Sequence, residues 1–445
     1  MAIIVLGNSG NLSVSDDNSD GDTIILGNGA HDTVSAAFPQ YDAIILGNGA
    51  GDTINIHGAG LAGGFGSQYD AIILGDGAGD TVNAFGPPTG FTQYDTIILG
   101  NGAGDTVNVF AGFNNTITLG NGAHDTVNAI ANVSNFSSTY DTIMLGDGSA
   151  DSVSLGATEN DTIILGNGDG DAVVIAGFLP SSGDMIIAGN GNGDAVNIGI
   201  SAGNVIMLGN GDGDSVTVGG GGFGGNTIIV GDGADDSVSF VGSDQTIRVG
   251  NGKADVVTMG FGSNNNITLG NGANDTVNND SRTPGSNNTI TLGNGSGDVV
   301  NDLGSNETIT LGNGADTVTT GINSIVTVGN GADTVTAGSG STITLGNGAD
   351  TVTAVSSLIN AGHGHDTFVL TGSFGEDTIT NFSPAHHNIV LAQAVFGNFG
   401  AMHMQHDIAQ VGANTVITDP QNSANVITLT GVNPSSLHAG NFQFV

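Results

Sequence analysis

Residues 328–353 read VGNGADTVTAGSGSTITLGNGADTVT, and the octet GNGADTVT occurs twice within this stretch, at 329–336 and at 346–353. The two copies begin 17 residues apart. A chain that repeats itself so closely builds one structural unit many times. The fold therefore depends on what a single unit forms and on how successive units pack.

The octet belongs to a longer array. The element Leu-Gly-(Asn/Asp)-Gly, with Ala or Val replacing some leucines, recurs at intervals near 20 residues that reach 28 where segments are inserted and shorten to 16 or 17 near the end. The array amounts to about seventeen units. These periods are too short for helical-hairpin repeats or propeller blades, and they are typical of one coil of a β-solenoid.

Each unit contains two short runs in which apolar and polar residues alternate. One is Asp-Thr-Ile-Ile-Leu, as at 161–165, and the other is Asp-Thr-Val-x-x, as at 105–109. A period of two is typical of strands. We therefore predict an all-β fold, a flattened parallel β-solenoid with two short strands per coil of about 17–20 residues and a small β-rich C-terminal cap. The Gly-Asn-Gly step is predicted to be a turn whose glycines adopt positive φ.

The charge of the chain limits its partners. The 445 residues include 42 acidic and three basic residues, which gives a formal net charge of -39. Nucleic acid and anionic membranes are excluded as partners because both require Lys or Arg, whereas cations are favoured. No apolar run approaches the roughly 20 residues that cross a bilayer, so we predict no membrane-spanning segment. The first residues, MAIIVLGNSG, do not have the pattern of a cleaved signal peptide.

Four late units share the pattern Gly-x-Gly-x-Asp-x-apolar. Its members are Gly312, Gly314 and Asp316; Gly329, Gly331 and Asp333; Gly346, Gly348 and Asp350; and Gly362, Gly364 and Asp366. The pattern resembles the nonapeptide Gly-Gly-x-Gly-x-Asp-x-U-x of the RTX (repeats-in-toxin) family, in which U is a large apolar residue. The resemblance implies several Ca²⁺ ions held between successive coils by aspartate and glycine-turn oxygens, which suit a hard cation.

The same turn carries an aspartate in every earlier unit except the truncated copy at 7–12. These further candidate calcium ligands are Asp32, Asp52, Asp80, Asp105, Asp125, Asp151, Asp171, Asp194, Asp214, Asp236, Asp255, Asp275 and Asp298. Stacked about 4.8 Å apart, they would repel one another unless cations intervened. The alternative is that each aspartate only accepts hydrogen bonds from turn amides.

The early units depart from the family pattern. Most have one extra residue, Gly-x-Gly-x-x-Asp, and only one turn of each coil carries the motif, whereas the usual RTX roll carries it on both. A second aspartate series precedes the other strand, at Asp22, Asp42, Asp70, Asp95, Asp141, Asp161 and Asp184. The ligand geometry of the family therefore cannot be copied onto these units.

The outward residue of the first strand divides the chain into regions. It is apolar in the first half (Ile25, Ile45, Ile73, Ile98, Met144, Ile164, Ile187, Met207, Ile229), with Thr118 as an exception, and mainly Thr afterwards (Arg248, Thr268, Thr291, Thr310, Thr327, Thr344). We predict a solenoid with inserted loops over 1–240, a regular solenoid over 241–354 and a C-terminal cap with a secretion signal over 355–445. Either the loops at 36–41, 58–69, 85–94 and 131–140 or another subunit must cover the apolar stripe.

The C-terminal region adds to the resemblance. The segments FGEDTITNF and ITLTGV, with NFQF near the end, are similar to the C-terminal region of RTX proteins, which implies export by type I secretion machinery. The spacing of His386, His387, His403 and His406 admits a transition-metal site, although solvated polar positions explain them equally. No GxSxG, HExxH or P-loop element occurs, so we predict that the protein is not an enzyme.

These observations favour a calcium-dependent structural protein outside a bacterial cell. We expect it to be secreted or on the cell surface, where copies join head to tail into a filament, surface layer or biofilm matrix. The strand-like start at 2–7 has no polar cap, which favours pairing with another molecule. Two alternatives remain: an adhesin that binds a surface or a cell-surface polysaccharide, and an ice-binding protein that uses the rows of Thr310, Thr327 and Thr344.

Overall fold

The computed structural model describes residues 2–16, 21–37, 40–57, 68–85, 92–109, 112–129, 138–176, 180–220, 224–279 and 285–445. The chain separates into two compact units, Met1–Gly242 and Ser243–Val445. Each unit is a parallel β-solenoid, so the predicted fold class is confirmed. We call the turn that follows the first strand of a coil turn one, and the turn that follows its second strand turn two.

In the first unit, the first strands of successive coils pair in parallel and in register as sheet one. Identical or similar residues lie above one another, for example Ile24 and Ile44. The strands are Ile3–Val5, Thr23–Ile25, Ala43–Ile45, Ala71–Ile73, Thr96–Ile98, Thr116–Thr118, Thr142–Met144, Thr162–Ile164, Met185–Ile187, Val205–Met207 and Thr227–Ile229.

The second strands of the same unit form sheet two, which is also parallel. They are Ser13–Asp16, Thr33–Ala37, Thr53–His57, Thr81–Phe85, Thr106–Val109, Thr126–Ala129, Ser152–Leu155, Ala172–Ile175, Ala195–Ile198, Ser215–Val218 and Ser237–Phe240. Turn two adds a third parallel sheet that the sequence did not predict. Its two-residue strands are Thr92–Gln93, Gly112–Phe113, Ser138–Thr139, Thr158–Glu159, Ser181–Ser182 and Ser201–Ala202.

The second unit repeats the two main sheets. Sheet one contains Thr246–Arg248, Asn266–Thr268, Thr289–Thr291, Thr308–Thr310, Ile325–Thr327, Thr342–Thr344, Leu358–Asn360, Glu376–Thr380 and Val426–Leu429. Sheet two contains Val256–Met259, Thr276–Asn279, Val299–Asp302, Thr317–Thr320, Thr334–Ala337, Thr351–Thr353, Thr367–Leu370, Asn388–Leu391 and Phe442–Phe444. Two late turns also pair, through Asn347–Gly348 and His363–Gly364.

Coil geometry continues beyond the last recognisable repeat. Glu376–Thr380 pairs in parallel with Val426–Leu429, and Asn388–Leu391 pairs in parallel with Phe442–Phe444. The helices Gln393–Phe396 and Phe399–Met404 and the antiparallel strands Ile408–Val411 and Asn414–Thr418 lie between Asn388–Leu391 and Val426–Leu429. The 3₁₀ helices Pro434–Ser436 and Ala439–Asn441 lie between Val426–Leu429 and Phe442–Phe444. Among the described residues, no helix is long and apolar enough to cross a membrane.

The core consists of stacked apolar ladders. In the coil that contains the second octet, Ile343, Leu345 and Val352 are at most 5% exposed. Each contacts its counterparts in neighbouring coils through in-register pairing, as Val335 does with Val352. Burial of one such side chain contributes about 1.5–3 kcal/mol. The predicted inward ladders of Ile, Leu and Val are therefore confirmed.

The prediction that the Gly-Asn-Gly glycines need positive φ was wrong. Gly47 and Gly49 do not have positive φ, and Gly49 is required because a Cβ there would lie 1.7 Å from the carbonyl oxygen of Gly29 in the coil below. The left-handed residue is instead the extra one before the aspartate, as at Gly51, where φ is 73°. Close stacking of turn backbones, rather than turn conformation, thus excludes side chains from the motif.

The outward column of sheet one in the first unit is apolar except at Thr118. Ile45, Ile73 and Ile98 stack in register, and Ile73 and Ile98 are 36% and 37% exposed. The inserted loops predicted to cover this column lie largely outside the described residues, at 38–39, 58–67, 86–91 and 130–137. Coverage by loops or by another subunit therefore stays a prediction.

Candidate calcium-binding turns

The aspartates of turn one form one continuous column in each unit, which we call the turn-one column. Each carboxylate reaches back to the preceding coil, where its Oδ1 accepts the backbone N–H of the equivalent aspartate. Asp52 Oδ1 accepts from Asp32 at 2.9 Å, and Asp350 Oδ1 accepts from Asp333 at 2.9 Å. All of these bonds measure 2.9 to 3.2 Å. Hydrogen bonding to turn amides, the simpler alternative, therefore occupies one oxygen of each carboxylate.

At most positions of the column, the second carboxylate oxygen has no hydrogen-bond partner among the described residues. Within the described part of the chain, this holds for the buried Oδ2 of Asp32, Asp52, Asp80, Asp105, Asp125, Asp151, Asp171, Asp194, Asp214, Asp275, Asp298, Asp316, Asp333 and Asp350. A buried polar atom without a partner costs about 1–3 kcal/mol, and more when it is charged. These oxygens are therefore able to accept a proton or to coordinate a cation.

The burial of the column disfavours ionisation. Burial, together with the Asp350 and Asp316 carboxylates and against the backbone hydrogen bond from Asp316, raises the pKa of Asp333 from an ordinary value of 3.8 to about 7. Burial likewise raises the pKa of Asp80 to about 7 and that of Asp275 to about 6. At neutral pH the column must hold protons, bear uncompensated charge or bind cations.

The acceptors in turn two show whether the coil-to-coil hydrogen bond needs a charged oxygen. Its inward residues form an equivalent ladder, in which Asp42 Oδ1 accepts from the Asp22 N–H at 2.7 Å. This turn-two column contains neutral residues as well as acids: Asn115, Asn204 and Asn226 in the first unit, and Gln245, Asn265, Asn288, Ser324, Ser341 and Ser357 in the second. A neutral oxygen therefore suffices for the bond. From Asp32 to Asp366 the turn-one column uses only aspartate, a uniformity that this hydrogen bond alone does not require.

Turn oxygens surround the glycines of the motif. A Cβ on Gly49 would lie 1.7 Å from the Gly29 carbonyl oxygen and 3.0 Å from Asp52 Oδ2. A Cβ on Gly314 would likewise lie 1.9 Å from the Gly295 carbonyl oxygen and 3.0 Å from Asp316 Oδ1. Carbonyl and carboxylate oxygens are the ligands that Ca²⁺ prefers, so the donor set fits calcium.

The carboxylates of this column do not cluster. Among the described residues, no group of three or more His, Cys, Asp or Glu side chains is arranged to hold a metal ion. Each coil contributes one aspartate to the turn-one column. A calcium ion in these turns would therefore take most of its ligands from backbone carbonyls.

The turn-one column of the second unit ends at a histidine that the sequence did not assign to it. His387 occupies the column position after Asp366, is 1% exposed and places Nε2 3.4 Å from Asp366 Oδ2. Its Nδ1 accepts the Ser383 N–H, so the proton is on Nε2 and faces the carboxylate. Burial lowers the pKa of His387 despite the Asp366 charge. The Nε2–H of the imidazole thus faces the last carboxylate without forming a hydrogen bond to it.

The predicted histidine cluster is only partly brought together. His386 and His387 line a cavity of about 930 Å³ with His363 and His365, and His365 Nδ1 lies 3.0 Å from the carbonyl oxygen of His386. His403 and His406 do not line this cavity. The structure therefore does not assemble the four histidines that the sequence grouped as a metal site.

The fold and the turns define a class of protein, a parallel β-solenoid with a buried column of aspartates along one edge of each unit. No protein-family model matches the chain, and no curated protein matches it significantly. The function is therefore inferred from the turns themselves.

Proposed function

We propose that the protein is a calcium-dependent structural solenoid of the RTX type. The observation that supports this proposal is the all-aspartate turn-one column. At positions such as Asp316, Asp333 and Asp350, one carboxylate oxygen bonds the preceding coil and the other is buried without a hydrogen-bond partner in the described residues. Calcium between coils would neutralise the column and satisfy those oxygens. The solenoid would then be rigid in calcium and frustrated without it.

This dependence favours a place outside the cell. Calcium is scarce in the cytosol and plentiful outside, so a chain with a net charge of -39 would stay unfolded during type I export and fold after it. The similarity of the C-terminal segments to those of RTX proteins supports the same route.

Self-association follows from the surface of the first unit. The exposed, in-register stripe that contains Ile73 and Ile98 is suited to a second apolar surface. Stacked coils of separate copies can also join end to end, since strand edges pair readily. Either contact, repeated, gives a filament or layer.

Negative-stain electron microscopy of the full chain with calcium and with excess chelator tests this proposal. Ordered polymers are expected in calcium, and their loss is expected in chelator. Monomers in both conditions would contradict the structural role. A variant with Ile73→Ser and Ile98→Ser separates face contacts from end contacts, because it leaves the coil stacking unchanged.

A second candidate, an adhesin, is favoured by one observation. The four tyrosines of the chain, Tyr41, Tyr69, Tyr94 and Tyr140, all lie in turn two with φ between 57° and 60°, where bulky residues are rare. The rings of Tyr41, Tyr69 and Tyr94 stack at 5.1 and 4.8 Å and are 47 to 64% exposed. Under this alternative, monomers bind a cell-surface polysaccharide, and replacement of the three stacked tyrosines by Asn abolishes binding.

A further inference from the structure

Two buried acids occupy one coil of the second unit, outside the turn-one column. Asp302 ends the strand Val299–Asp302 at an inward position, where Leu155, Ile175 and Phe240 lie in other coils. Glu307 follows it across turn two, in the turn-two column. Both are 0% exposed. Acids are rarely buried unless they are paired, so this coil needs an explanation other than packing.

Among the described residues, only neutral groups donate hydrogen bonds to these two carboxylates. Asp302 Oδ1 accepts hydrogen bonds from Asn279 Nδ2 and from the Gly304 N–H, both at 2.9 Å. Glu307 Oε2 accepts the Asn288 N–H at 2.7 Å, and Asn288 Nδ2 lies 3.4 Å from Asp302 Oδ2. No partner in this set carries a positive charge. Among the described residues, which omit 280–284, no positive charge compensates these two carboxylates.

Two oxygens of the same group are left over. Glu307 Oε1 and Asn279 Oδ1 have no hydrogen-bond partner within the described residues, although Asn279 is only 8% exposed. The amide of Asn279 lies against Asp302, so its free oxygen belongs to the same polar group. Each buried oxygen costs about 1–3 kcal/mol if nothing binds it.

Oxygens also converge on the space beside Gly304. A Cβ built on Gly304 would lie 2.2 Å from Glu307 Oε1, 2.9 Å from Asp302 Oδ1 and 2.3 Å from the carbonyl oxygen of Gly285. Two carboxylates and one backbone carbonyl therefore border the volume that a side chain would fill. The next coil has no such set, because Thr320 and Ser324 occupy the two positions and bond each other at 3.0 Å.

We propose that Asp302 and Glu307, with the Gly285 carbonyl, form a buried binding site for one divalent cation of the calcium type. A divalent cation balances both carboxylates, whereas a shared proton balances one. All donors are oxygens, as a hard cation requires. The site lies inside the coil and does not depend on the turn-one column.

The test uses the full chain with Glu307→Gln and Asp302→Asn, which preserve size and remove charge. Glu376→Gln is the matched control, because Glu376 is exposed. Bound calcium per chain is measured by equilibrium dialysis, and the melting temperature is measured in calcium and in chelator. Each variant is expected to bind one calcium fewer than the wild type and to gain less melting temperature from calcium, whereas the control is unchanged.

An unchanged calcium count in Glu307→Gln, with a melting temperature raised equally in calcium and in chelator, would show that the site holds a proton only and would overturn the proposal. If the variants do not fold, wild-type crystals grown with Tb³⁺ decide the question. An anomalous peak beside Gly304 is expected, and peaks elsewhere without one there would overturn the site. If the turn-one column binds no calcium and this site does, the wild type will bind a single ion and Glu307→Gln will bind none.

Discussion

Replacement of Asp333 by Asn separates the two roles of the turn-one column. In the wild type, Asp333 Oδ1 accepts the Asp316 N–H at 2.9 Å. The asparagine amide keeps an oxygen for this bond but removes the buried charge. Burial raises the pKa of Asp333 to about 7 from 3.8. Above pH 7, and without calcium, this shift corresponds to a penalty of roughly 4 kcal/mol for ionised Asp333. In the variant, the amide Nδ2 is buried without an acceptor, which costs about 1–3 kcal/mol and offsets part of the stability gained by removing the charge.

We therefore expect opposite effects in the two conditions. In chelator at pH 7.5, Asp333→Asn is expected to raise the free energy of unfolding by about 1–3 kcal/mol. In saturating calcium it is expected to lower it, because a ligand is lost. Chemical denaturation followed by circular dichroism measures both values. Asp244→Asn, at an exposed left-handed position, is the control and should change neither. A change of the same sign in both conditions would refute the role of the charge.

Two further predictions follow from the same stacking. Burial raises the pKa of Asp80 to about 7 and that of Asp275 to about 6. Without calcium, the free energy of unfolding should therefore be greatest below pH 4 and fall as the pH rises through 6 to 7. Thermal melts in chelator check this, and a rise in stability over that range would contradict it. Gly331→Ala places a Cβ 1.6 Å from the Gly314 carbonyl oxygen and should lower the free energy of unfolding by more than about 3 kcal/mol. Gly79→Asn, at φ 74° with nothing within 4 Å of the added Cβ, should lower it by less than about 1 kcal/mol. Equal losses for the two variants in denaturant melts would disprove the stacking constraint.

The alternation of the repeats was enough to predict the two main sheets. Residues such as Ile343 and Val352 are inward in the sequence pattern and buried in the structure. The position of the aspartates before the second strand also placed them in one column, because a fixed period puts equivalent residues above one another. Whether that column binds calcium stays a prediction.

Other features depend on contacts that no local pattern encodes. The third sheet has two-residue strands such as Ser181–Ser182, too short for a period to show. The role of His387 depends on the coil register, which continues after the repeat has disappeared from the sequence. The Asp302 and Glu307 pair is separated in sequence and meets only across turn two. The reason for the motif glycines lies in the backbone of the neighbouring coil, as at Gly49.

The most direct test of the central claim is calcium titration of the full chain at pH 7.5, with bound ions counted by equilibrium dialysis and folding followed by circular dichroism. We expect several bound ions per chain, β-type spectra that depend on calcium, and a melting temperature that rises with the calcium concentration. Unchanged spectra and melting temperature in excess chelator, with no ions bound in calcium, would contradict it.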